Sequence, residues 1–146
     1  MRRTVVGIGC ALMLGLMSGA SRAEPPEVSA TTLAQGTMAD RFAIRTQEPT
    51  EFVVKTITIR PGGSTGWHFH PGRLIAVVRS GTLTRYEADC RAHTYRAGQA
   101  LVEPSGAGQV HLGRNLGVVP VVLYATYLTP VGQPLAVAAP DPGCGG

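Results

Sequence analysis

From residue 50 onward the apolar positions fall in short runs, each closed by a turn residue. Residues 52–59 (Phe, Val, Val, Lys, Thr, Ile, Thr, Ile) are dense in β-branched side chains and stop at Pro61, Gly62 and Gly63. That is the signature of a strand followed by a turn. Further strand-like runs lie at 74–78, 82–86, 99–103, 109–112 and 118–127, bounded by Gly, Pro, Asp or Asn. No window beyond the N-terminal segment holds the 3.6-residue apolar period of an amphipathic helix. Closely spaced short strands with turns between them predict an all-β fold, a sandwich or a small barrel. Residues 24–49 are polar and weakly patterned, a lead-in segment with room for the first strand or strands.

The N-terminus has a different pattern. Arg2 and Arg3 precede an apolar stretch over residues 5–17, and small residues follow, with Ser21 and Ala23 at the positions a signal peptidase reads. A basic start, a short apolar core and a small-residue site predict a secretory signal peptide, residues 1–23, cleaved after Ala23. The stretch falls short of the roughly 20 apolar residues a membrane span needs. Localisation is therefore expected to be secreted or periplasmic, with no membrane attachment after cleavage. Cys10 leaves with the peptide, so Cys90 and Cys144 remain, either as one disulfide or as two free thiols.

Composition adds one qualification. Glycine and proline together make 30 of 146 residues, turn-rich but below the level of a low-complexity chain. The formal charge of +4 first points toward nucleic acid or an anionic surface. Loss of Arg2, Arg3 and Arg22 with the signal peptide reduces 13 basic residues to 10 against 9 acidic ones. A nearly neutral domain of this kind is not expected to bind nucleic acid.

The candidate chemistry sits in His68 and His70. Alternate side chains of a strand share a face, about two rises of 3.3 Å apart, so both imidazoles could close on one metal ion. Their surroundings resemble the cupin superfamily. Gly62, five residues, His68, Phe69, His70 and, further on, Gly81 follow the frame of the first cupin motif. Gly98, five residues, Pro104, Ser105, Gly106, His111, three residues and Asn115 follow the second, with four residues rather than two between Gly106 and His111. The resemblance covers roughly residues 50–130 and implies a single small jelly-roll β-barrel, with residues 131–146 as a Pro- and Gly-rich tail. It also implies metal binding through His68, His70 and His111.

Two departures bear on function. The motif's glutamate position holds Leu74, flanked by Arg73 and Ile75, so the family's carboxylate is missing there and three histidines stand without an obvious fourth ligand. The expanded second motif puts Gln109 where an unexpanded one would place its histidine, and Gln109 and His111 share strand parity. Three imidazoles suit Fe, Zn, Cu or Ni. The resemblance supports two readings: a metal-dependent oxygenase acting on a small organic ligand, or a non-catalytic cupin that holds a small molecule or metal in a degenerate site. No catalytic residue is assigned. Glu103 is expected to be solvated at its strand end, as are Arg73 and His93. Trp67 and Phe69 should pack on the face away from the histidines, and only one of Tyr124 and Tyr127 can face inward. An apolar tail near 135–139 could add to a neighbour's sheet edge, so a homodimer is expected.

Overall fold

The two longest strands are built from the two longest apolar runs and lie side by side. A computed structural model of the protein describes residues 30–46 and 48–144; the expected signal peptide, residues 1–23, lies outside them. The strands are β1 (Thr50–Ile59), β2 (His68–Phe69), β3 (Arg73–Ser80), β4 (Thr82–Glu87), β5 (Ala92–Arg96), β6 (Ala100–Glu103), β7 (His111–Arg114), β8 (Val121–Pro130) and β9 (Val137–Ala138). There is no helix among the described residues. A four-stranded sheet runs β1-β8-β3-β6 and a five-stranded sheet β5-β4-β7-β2-β9. Every strand pairing is antiparallel. This is the all-β architecture that the spacing of runs and turns anticipates, in the jelly-roll form that the cupin resemblance implies.

Burial alternates along β3 and β8, which places Leu74, Ala76, Val78, Leu123, Ala125 and Tyr127 on the inner face of the four-stranded sheet. Ile59, Leu83 and Leu101 close the core around them. The short segment from β2 to β3 crosses over the backbone of β8. At Gly72 a side chain would run into the Leu128 carbonyl, so only glycine lets this turn lie flat against the sheet and carry His70 inward.

The strand-like runs leave out three strands and shift two, 109–112 becoming β7 and 118–127 becoming β8. β2 and β9 have two residues each, too short to show a period. β5 (Ala, His, Thr, Tyr, Arg) is almost wholly exposed and carries little apolar signal. The last long strand begins at Val121 rather than at 118, because Pro120 lacks an N–H for the ladder and Val118 is 91% exposed. Within 30–49 the described residues form an isolated bridge, Thr37 beside Gln99, and the first strand starts at Thr50. The tail folds back on its own chain, where Val137 and Ala138 pair with Phe69 and His68.

Candidate metal centre

Three strands deliver the cluster. His68 opens β2 and lies directly across from His111, the first residue of β7. His70 follows β2 and is held by a bridge to Ser105, with Gly106 N–H donating to its carbonyl at 2.8 Å. Glu103 ends β6, directly across from Leu74 of β3. One potential ligand atom from each of His68, His70, Glu103 and His111 lies within 4.8 Å of the other three. His70 is 2% exposed and His111 0%.

The hydrogen bonds fix how the rings present themselves. Nδ1 of His68 lies 2.9 Å from the Gly66 carbonyl, Nδ1 of His70 2.7 Å from that of Leu135, and Nδ1 of His111 2.8 Å from that of Gln109. A carbonyl only accepts, so each Nδ1 carries a proton and each neutral ring keeps its Nε2 lone pair free, the tautomer a metal ligand needs. At His70 the other nitrogen also faces an acceptor, with Nε2 2.9 Å from Glu103 Oε2. A neutral imidazole has a single N–H, so this geometry calls for either an imidazolium or a cation shared by His70 and Glu103. Nε2 of His111 lies 3.2 Å from the same carboxylate but out of hydrogen-bonding alignment, a buried nitrogen with no partner. The donor set therefore fits a metal ion.

Glu103 corrects two expectations at once. It is not solvated, its side chain being 12% exposed, and it is the carboxylate of the cluster that could hold a metal, where the motif position has Leu74. Burial alone would push its carboxyl up, but the nearness of His111 and His70 and the charge of Arg85 outweigh that and hold it far below the ordinary range. It is ionised at neutral pH and ready to bind a cation. Arg85, from the middle of β4, reaches Glu103 Oε1 with Nε at 3.2 Å and pairs with Glu87 through its terminal nitrogen. That charge pair lies on the Oε1 side without hydrogen-bonding alignment, while Oε2 faces the histidines. Burial lowers the His68 pKa despite the Gly66 hydrogen bond, so its ring stays neutral.

A cavity of about 690 Å³ opens onto the cluster. Its walls include Ile57, Ile59, Leu74, Leu83, Leu123 and Ala125 with Tyr127, and its lining also includes Lys55. Tyr127 is the inward tyrosine, its ring centroid 5.6 Å from that of His70. Burial raises its pKa, with the Glu103 charge adding to the effect, so it remains a phenol. Tyr124 lies on the other face, beneath Arg79.

The remaining candidates separate cleanly. Gln109 is exposed and contributes its carbonyl, not its side chain. Arg73 donates to the Ala43 carbonyl, away from the cluster. His93 is exposed. Trp67 lines the cavity rather than packing wholly on the far side. Asn115 of the second motif is structural: its amide donates to the Ile59 and Val119 carbonyls and its oxygen accepts from Gly117 N–H. Cys90 and Cys144 form a disulfide.

A family model described as the cupin domain matches residues 55–127. The chain belongs to the cupin family. Among solved structures, this cupin is similar to a Klebsiella pneumoniae protein with a double-stranded β-helix domain, at 26% identity and a TM-score of 0.52 over 64% of this chain and 79% of that one. An oxalate oxidase shares 22% identity with a TM-score of 0.52, over 60% of this chain and 46% of the oxidase. The DMSP lyase of Ruegeria pomeroyi shares 16% identity with a TM-score of 0.54, over 63% of this chain and 45% of the lyase. An oxidase and a lyase on one fold establish the architecture and leave the reaction to the site. No curated protein sequence matches the chain.

Proposed function

We propose that this cupin binds one divalent transition metal through His68, His70, Glu103 and His111 and acts as a metal-dependent oxygenase on a small organic ligand held in the apolar cavity. The observation that carries the reading is His70, whose two ring nitrogens both face acceptor oxygens. A cation at Nε2 resolves that conflict without protonating the ring. Three imidazoles and one carboxylate suit Fe, Zn, Cu or Ni. A metal held there would supply Lewis acidity toward an oxygen atom of the ligand and, if redox-active, electrons to O₂. The protein's own side chains do the rest. Leu74, Leu123 and Ala125 exclude water, Arg85 orients Glu103, and the Tyr127 phenol keeps its proton beside His70.

The alternative is a non-catalytic pocket; Glu103 answers the missing motif carboxylate as far as metal binding goes, and the oxygen-uptake test below separates the two readings. Export after cleavage at Ala23 belongs to the same proposal, supported by the N-terminal pattern and by the disulfide, a bond favoured in oxidising compartments.

Elemental analysis after titration with Fe, Zn, Cu and Ni is expected to give close to one ion per chain for the wild type and a small fraction of that for His70→Ala. A folded wild-type protein that takes up none of the four refutes the reading. O₂ uptake with a panel of small organic acids then tests the chemistry; equal rates in wild type and His70→Ala would remove the oxygenase.

A further inference from the structure

The segment after β8 touches the cluster in several ways. The Leu135 carbonyl accepts from His70 Nδ1–H at 2.7 Å. β9 pairs with β2, the strand that carries His68, and Ala139 N–H donates to the Trp67 carbonyl at 2.9 Å. Ala136 and Ala138 form part of the cavity wall. Leu135 packs against the core, but the rest of the segment holds on by little. β9 is two residues long, lies at the edge of its sheet, and most of 131–143 is exposed. Short exposed edges of this kind lie at the low end of local stability. The covalent tie is Cys144, bonded to Cys90 in the β4–β5 turn across 54 residues of sequence, with Cα atoms 5.3 Å apart.

We infer that residues 131–144 are a disulfide-locked positioning element for His70 and a removable wall of the cavity, opened when a dithiol reduces Cys90–Cys144. In that step the dithiol gives up two electrons and two protons. The S–S bond breaks, Cys90 and Cys144 become thiols, and the reductant closes to its own disulfide. With Cys144 free, β9 leaves β2, the Leu135 carbonyl withdraws, and His70 loses both its fixed tautomer and its cover. The effect on metal retention rests on the metal reading proposed above, whereas the uncovering of His70 does not.

Carbethoxylation by diethylpyrocarbonate, followed at each histidine by mass spectrometry on metal-free protein, tests this directly. Exposed His93 serves as the internal reference. Reducing the wild type with a phosphine, which spares metals, is expected to speed modification of His70 by about tenfold or more, as local opening of the segment implies. Cys144→Ser and Cys90→Ala should behave alike. The His93 rate and the amide-exchange protection of β1 and β8 should not change. An unchanged His70 rate in the reduced wild type overturns the proposal. Loss of protection in β1 and β8 overturns it too, because the bond would then hold the whole barrel. In metal-loaded protein a chelator should strip the ion about tenfold faster after reduction; an unchanged rate defeats the positioning role. If His70 opens as expected while the wild type binds no metal, the strap stands and the metal reading fails.

Discussion

The Arg85 side chain is only 4% exposed, and the groups paired with its guanidinium are the carboxylates of Glu87 and Glu103. On the side away from the histidines, the Glu103 carboxylate faces this guanidinium. The same pairing turns Oε2 of Glu103 toward His70 and His111. Removing Arg85 therefore has two consequences. Arg85→Met is expected to destabilise the fold by about 3–5 kcal/mol, the usual cost of stranding a buried charge, measured by urea denaturation. It should also weaken metal binding by about 10- to 100-fold, as losses behind a metal ligand commonly do, measured by chelator competition. A variant that kept full metal affinity would show that Glu103 needs no such support.

Among the strands, β3 and β6 explain how a cupin with leucine at the motif's glutamate position still presents a carboxylate. Leu74 and Glu103 are direct cross-strand partners, and such partners point to the same face of a sheet. The carboxylate has moved across one strand spacing, about 4.8 Å, while staying in the same cavity. The exchange is testable. Glu103→Leu alone should lower metal affinity by about 100-fold or more, beyond what a lost supporting residue costs. Adding Leu74→Glu should recover affinity to within about tenfold of wild type on the same geometric ground. Failure of the double variant to recover any binding in titration calorimetry would mean that only the β6 position, with Arg85 behind it, can present the ligand. The β2–β7 pair does comparable work for the histidines, since its register sets His68 against His111.

For the molecule as a whole, the cluster joins elements that are far apart in sequence and lie in both sheets. Glu103 comes from the four-stranded sheet, and His68 and His111 come from the five-stranded one. An ion bound among them links the two sheets in the native state and has no equivalent in the unfolded chain. Metal at a hundredfold excess over its Kd should therefore add about 2.7 kcal/mol of stability by linkage, seen as a rise in the thermal midpoint that His70→Ala abolishes. Equal midpoints for the wild type with and without metal would contradict a shared site.

The sequence by itself determined the fold class and most of the site. Periodicity and turn residues are local properties, so the long strands, the absence of helix among the described residues and the facing of His68 and His70 were all legible from spacing. The intact frame from His111 to Asn115 likewise pointed to His111 over Gln109. Tertiary structure decided the rest. Glu103 reads as an ordinary strand-end glutamate until the β3–β6 register places it across from Leu74. The two-residue strands β2 and β9 carry no period of their own and form only because partner strands offer unpaired backbone groups. Cys90 and Cys144 could be joined or free until the tail folded back along β2. In each case the deciding interaction is between residues distant in sequence, and its energy comes from burial and pairing that only the closed barrel provides.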